Sequence, residues 1–342
     1  MTQNIIIKFF NGMNKIQFLA IGDMVTDNFI ELKDAEAVCD IDHENCKLCV
    51  KFGQKIPYES STEIRAVGNS ANASVSASRL GLSSVLVAGI GDDLNGKNCI
   101  EQLKKENVDT QFISTDEKYS TNYHYVLKYG AERTILIKHA PFCYTLPQDD
   151  IGIDWVYLSS LGEHSIEFHK EISKWLEEKP NTRLAFQPGT FQIKLGSGVL
   201  KDIYEKTELF FCNFQEAQII LNTKDDDIKN LLSGIHNLGP KKVVITDGPK
   251  GLTASDGEYI YSLPMFPDIA PPVERTGAGD ATSSTITSML ALGMDFKTAL
   301  LYGPINSMSV VQYVGAREGL LSKDAIEKYL QNAPEDYKIK IK

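Results

Sequence analysis

The sequence predicts an α/β fold, a doubly wound, mainly parallel sheet flanked by helices, with a small β-sheet lid. Three observations carry this. Short apolar runs alternate with amphipathic helical segments along most of the 342 residues, as in strands joined by crossover helices. No internal repeat, low-complexity tract or Pro/Ser-rich linker divides the chain, so one domain is expected over 13–342, after an extension at 1–12. Two segments, 28–67 and 121–138, break the rhythm with polar and apolar residues in alternation, the signature of a half-covered sheet.

Taken in order, the buried strands are expected at 16–21, 84–89, 155–159, 183–186, 209–212 and 242–246. Each is a short apolar run bounded by turn residues. Helical periodicity is clearest at 165–176, 228–238, 278–292 and 296–314, and 322–330 closes the domain. In the lid segments, Tyr123-His124-Tyr125-Val126-Leu127 and Thr134-Ile135-Leu136-Ile137 flank a turn at Gly130. One face of such a sheet needs cover from substrate or from a second copy, which makes a homodimer an expectation.

Composition narrows the function classes. With 42% hydrophobic and 23% charged residues the chain can bury a sizeable core, and its formal charge of −10 argues against nucleic-acid or anionic-membrane partners. No apolar run is long enough to cross a bilayer, and a cytoplasmic protein is expected. Cys39, His43, Cys46 and Cys49 lie in one short polar segment, and the two-residue gap in Cys46-Lys47-Leu48-Cys49 lets both thiolates reach one tetrahedral ion. Structural Zn²⁺ and reduced surface thiols are both open readings of it.

The most informative motif is Thr276-Gly277-Ala278-Gly279-Asp280 at the start of the 278–292 helix. Glycines admit a ligand close to the backbone, and the first N–H groups of a helix attract an anion. A carboxylate in that turn would repel a phosphate unless it has other work, such as taking a proton from an attacking hydroxyl. Asp280 is therefore the candidate base. Asp27, after Gly22-Asp23-Met24-Val25-Thr26, is placed to accept from paired hydroxyls, and Gly68-Asn69-Ser70-Ala71-Asn72 opens a helix with amides suited to polyols. Asn213-Phe214-Gln215-Glu216 follows a strand, so that Asn213 could meet a phosphate oxygen and Glu216 hydrated magnesium. Thr246, Gly248 and Gly251 lie in a glycine-rich turn that reads equally as a nucleotide contact or a hairpin. Gly91 to Asn98 has the spacing of a phosphate loop, but Asn98 stands where Ser or Thr should be and two carboxylates lie inside.

In this order the motifs resemble the ribokinase-like (PfkB) carbohydrate kinases, from about residue 15 to 333. The resemblance implies ATP as phosphoryl donor, Mg²⁺, and a hydroxyl of a small sugar or nucleoside as acceptor. It implies Asp280 as base with Gly277, Ala278 and Gly279 as anion hole, and Asp27, Gly68, Asn69, Asn72 and the lid residue Arg133 on the acceptor. Asn213, Glu216, Thr246, Gly248 and Gly251 would serve the nucleotide and its magnesium, with Asn306 and Gly315 toward the adenine. Three departures stand out: Val67 replaces a glycine, Glu274-Arg275 replaces Asp-Thr and puts a monovalent cation in question, and Gln187-Pro188-Gly189 replaces Asp-x-Asn.

The expected reaction is in-line transfer of the γ-phosphoryl group of ATP to a sugar hydroxyl. An adenosine-type nucleoside kinase is the alternative, with Phe29, Tyr123 and Tyr125 as flat walls for a base. Of other classes are a non-catalytic sugar or nucleotide sensor on the same fold, and a P-loop hydrolase dependent on Lys97.

Overall fold

The computed structural model describes residues 15–39, 46–130, 132–148 and 151–341. Its main element is a 10-stranded sheet. From one edge the strands are Lys340–Ile341, Ile260–Leu263, Leu252–Ser255, Lys242–Thr246, Thr207–Asn213, Arg183–Phe186, Gly152–Leu158, Lys15–Ile21, Ser84–Gly91 and Ile113–Asp116. All neighbours from Lys242–Thr246 to Ile113–Asp116 are parallel, and the three strands beyond are added antiparallel.

Alternate side chains of these strands feed two cores, because successive residues point to opposite faces. Leu209, Phe211 and Val244 join the layer of the Asn69–Arg79, Leu94–Lys105 and Ala278–Ala291 helices. Phe210, Cys212, Val243 and Ile245 join the layer of the Ile166–Glu177, Lys201–Lys206 and Ile228–His236 helices. Helices on both faces bury the central parallel strands, which is why these read as continuous apolar runs. Chain order runs away from Lys15–Ile21 in both directions, so the loops after the parallel strands open into one crevice.

A second sheet of four strands has the order Tyr58–Val67, Val25–Leu32, Tyr123–Tyr129 and Glu132–Leu136. Its apolar face is small: Val25, Phe29, Ile64, Val67 and Val126 form their own cluster. A two-stranded ribbon, Glu36–Val38 with Lys47–Cys49, projects from it.

Two expectations are corrected, and a spacing unfit for a phosphate loop is explained. The 296–314 helix is two, Phe296–Leu300 and Gly303–Val310, because Pro304 has no N–H to continue the ladder. The Gly91–Asn98 segment is an ordinary helix start: Asp93 caps the Leu94–Lys105 helix by accepting from Gly96 N at 2.7 Å, and Lys97 pairs with Asp92 at 2.9 Å. The zinc reading fails on its sulfurs, since Cys39 and Cys46 are joined in a disulfide and cannot act as thiolates, while Cys49 is an exposed free thiol. His43 lies outside the described residues, among which no group of three metal-binding side chains occurs.

Candidate active site

The Ala278–Ala291 helix begins against the crevice, and its entry depends on Gly277. That residue has φ 81°, and a Cβ there would lie 2.4 Å from Ala316 Cβ. Only glycine combines this backbone with this contact. At this entry Gly277 and Gly279 line a cavity of about 330 Å³. Asp280, in the first turn, lines the same cavity.

Three amides clamp the Asp280 carboxylate. Asn69 Nδ2 donates to Oδ1 at 2.8 Å, Asn72 Nδ2 to Oδ2 at 2.9 Å, and Gln187 Nε2 to Oδ1 at 3.2 Å. Asn69 and Asn72 share a face because they are three apart in one helix. Gln187 follows the Arg183–Phe186 strand and is itself fixed, since its Oε1 accepts from Tyr157 Oη and from Ser283 Oγ at 2.9 Å. Burial pushes the Asp280 carboxyl above the ordinary carboxylate range, and the three N–H groups pull it back down. The same burial, with the charge of Asp280 beside it, holds Tyr157 protonated.

The acceptor residues expected from sequence meet here. Asp27, Gly68, Asn69, Asn72 and Arg133 line the cavity with Gly277, Gly279 and Asp280. Asn69 and Asn72 each direct one amide donor to Asp280, and each side chain keeps further polar capacity at the cavity. Several wall residues had no place in the sequence-derived site. Asp23 accepts from Tyr144 Oη and lies 2.6 Å from His139 Nδ1, and Asp27 Oδ1 lies 3.3 Å from His124 Nδ1. Arg275, Ser160, Thr190 and Phe191 complete the wall. Buried Asp27 Oδ1, Asn72 Oδ1 and His124 Nε2 have no hydrogen-bond partner within the protein.

The nucleotide residues lie outside this cavity; Asn213 and Thr246 end two neighbouring parallel strands and the others lie in the helices and turns that follow. Asn213 and Glu216 form a reciprocal cap at the Phe214–Ile220 helix, each backbone N–H donating to the other's side chain at 2.8 Å. Burial raises the affinity of Glu216 for a proton, the Asn213 N–H opposes this, and the negative charge of Asp280 adds to it. Thr246 is the register partner of Asn213, and Thr246 to Gly251 make the turn into the antiparallel Leu252–Ser255 strand. Asn306 is displaced from any such role: fully buried, it donates to Thr285 Oγ1 and accepts from Leu321 N, both at 2.8 Å. Gly315 N donates to Glu274 Oε2 at 2.9 Å, and Thr276 Oγ1 donates to Oε1 of the same carboxylate. Both Glu274 oxygens are thus engaged inside the protein.

The aromatic walls proposed for a nucleobase are elsewhere. Phe29 is buried in the small-sheet cluster, Tyr123 donates to Glu63 on the outer side, and Tyr125 is exposed beside it. Among the described residues no helix is long and apolar enough to cross a membrane.

Comparison with known proteins bears on the fold and the family. Residues 35–323 match the pfkB family carbohydrate kinase model. The chain is 29% identical over 224 residues to a protein of Pyrococcus horikoshii named as a sugar kinase, covering 63% of this chain and 69% of that one. It is 25% identical over 272 residues to the ribokinase of Bacillus subtilis, covering 77% and 87%. Its backbone superposes on Arabidopsis thaliana ribokinase complexed with ribose and ATP with TM-score 0.76 at 18% identity, covering 93% and 99%. The chain belongs to the pfkB family of carbohydrate kinases and is a phosphotransferase that uses a hydroxyl group as acceptor.

Proposed function

We propose that the protein transfers the γ-phosphoryl group of ATP to a hydroxyl of a small sugar, in the manner of ribokinases and fructokinases, with Asp280 as general base. The observation that carries this reading is the clamped, buried carboxylate of Asp280 on the same helical turn as the Gly277–Gly279 amides. The clamp fixes the direction of the carboxylate, and its raised proton affinity suits it to take the hydroxyl proton as the new bond forms. The amides of Gly277, Ala278 and Gly279 meet the charge gathering on the phosphoryl oxygens. Asp27, Asn72 and His124 each bring a buried polar atom that a polyol can satisfy.

The nucleotide would lie toward Asn213, Thr246, Gly248 and Gly251, along the same strand ends. Glu216 fits a hydrated magnesium ion: it is a hard oxygen donor, set close enough to Asp280 to feel its charge. Mg²⁺, when bound with ATP, neutralises phosphate charge. The small sheet would act as a lid that excludes water from the cavity. Its exposed Tyr125, Leu136 and Ile137 suit a homodimer, which sedimentation would detect.

A sugar is favoured over a nucleoside because more than half of the residues lining the cavity are polar or charged and none of the three lid aromatics is among them. The test is coupled ADP release across pentoses, hexoses, keto-acids and nucleosides. ADP formed only with nucleosides would replace the sugar, and binding without ADP from any acceptor would make the protein a sensor.

A further inference from the structure

The charged groups that face the cavity are partnered unevenly. Asp23 is 3% exposed and is answered by the Tyr144 hydroxyl and the His139 imidazole. Asp27 has His124 at 3.3 Å, and the two imidazole rings stand 5.2 Å apart as one stretch of wall. Asp280 is held by three amide groups. Each of the three carboxylates therefore has a polar neighbour inside the protein, with Asp27 Oδ1 making no hydrogen bond of its own. Arg133 and Arg275 line the same cavity and form no ion pair among the described residues. Nearby surface cations are treated differently: Lys128, the register partner of Arg133, is paired with Glu31 at 3.2 Å. Both guanidiniums are exposed and form no hydrogen bond or ion pair among the described residues, which leaves them open to pair with an anionic occupant.

The two belong to different walls. Arg275 immediately precedes Thr276 and the glycine cradle, where the donor's phosphates account for it. Arg133 is on the Glu132–Leu136 strand of the small sheet, two residues from Ile135, which lines the cavity from the same face. It stands with Asp27 and His124 of that sheet, on the acceptor side. If the small sheet covers the cavity, the Arg133 guanidinium loses water. A neutral sugar leaves that charge without compensation, whereas a carboxylate or phosphate ester pairs with it through two parallel hydrogen bonds.

We infer that the acceptor is an acidic sugar, carrying a carboxylate or a phosphate ester besides the hydroxyl that is phosphorylated, and that Arg133 recognises this group. The inference rests on the kinase reading above. Its test is ADP release in matched pairs: fructose phosphate against fructose for the phosphate arm, ketogluconate against glucose for the carboxylate arm, with ribose and adenosine as neutral references. Arg133→Gln is measured beside the wild type, with a melting curve to show that it folds.

The expected result is a kcat/KM higher for the acidic member of one arm, with that preference reduced about 10- to 100-fold by Arg133→Gln, the range for removing one charged hydrogen-bonding partner. The arm that responds identifies the anion. A neutral acceptor that outperforms both acids, or an Arg133→Gln defect confined to the KM for ATP, overturns the inference and leaves the kinase reading intact. An acidic preference that survives Arg133→Gln overturns the assignment to this side chain. No ADP from any acceptor removes the kinase reading and this inference with it.

Discussion

Replacing Asp280 by Asn separates the chemistry of this carboxylate from its place in the structure. Three amide groups donate to its two oxygens, at 2.8, 2.9 and 3.2 Å. The substituted side chain would keep one oxygen and present an N–H₂ group, so one of the three donors would face another donor. An unrelieved clash of this kind costs about 1–3 kcal/mol. The structure contains its relief, because Asn72 Oδ1 is buried and has no partner. Turning the Asn72 amide over places that oxygen against the new N–H₂. The variant also removes a carboxyl that burial disfavours as an anion. Asp280→Asn is therefore expected to fold, with a melting temperature within a few degrees of wild type and ATP binding by calorimetry mostly retained. Turnover, followed as ADP release at saturating ATP, should fall about a hundred- to ten-thousand-fold, the contribution of a positioned base. A well-folded variant that keeps turnover within about tenfold of wild type, too little for a lost base, would remove Asp280 from the mechanism.

Further expectations follow from the same geometry. Because native Asp280 holds its proton more tightly than the ordinary value of 3.8, the acid limb of kcat/KM should lie above that value; a limb at or below it would mean that another group takes the proton. In unfolding experiments the sign is fixed by the same shift: the native state binds the proton more tightly, so ionising Asp280 withdraws stability as pH rises from 3.8 through its higher native value, and Asp280→Asn should flatten that part of the profile. Gly277→Ala should lower stability by about 2–4 kcal/mol through its left-handed backbone and its collision with Ala316, whereas Gly279→Ala, whose nearest neighbour would be Gln187 Nε2 at 3.7 Å, should melt close to wild type. Thiol titration in denaturant should count Cys49, Cys99, Cys143 and Cys212 before reduction and add Cys39 and Cys46 after it; all six reacting at once would contradict the disulfide.

Much of the fold was legible because a parallel sheet covered on both faces leaves continuous apolar runs. The strands at Arg183–Phe186 and Lys242–Thr246 stand where periodicity put them. The antiparallel strand Ile260–Leu263 was not anticipated, and Leu252–Ser255 only as the far arm of the hairpin reading at Thr246 to Gly251, since four residues each carry too little pattern to stand out. The phosphate-loop spacing at Gly91 to Asn98 arose from another cause, the geometry of a capped helix entry. The disulfide escaped notice because spacing alone cannot tell a pair of thiolates on a metal from a pair of sulfurs bonded to each other.

In the candidate site, residue identity was easier to read than direction. Asn69 and Asn72 were recognisable as polar groups at a helix start, but a sequence does not say where an amide points, and theirs point at Asp280. Gln187 had a signal of its own, a departure from an acidic residue, and the structure supplies its physical reason. Its Oε1 is already the acceptor for Tyr157 and Ser283, which forces the N–H₂ end toward Asp280. An aspartate or glutamate there would have only oxygens to offer and would set a second negative charge against a buried carboxylate. A neutral amide instead supplies the third donor of the clamp, so the departure at Gln187 is compatible with Asp280 as the ionisable group on which the proposed chemistry depends.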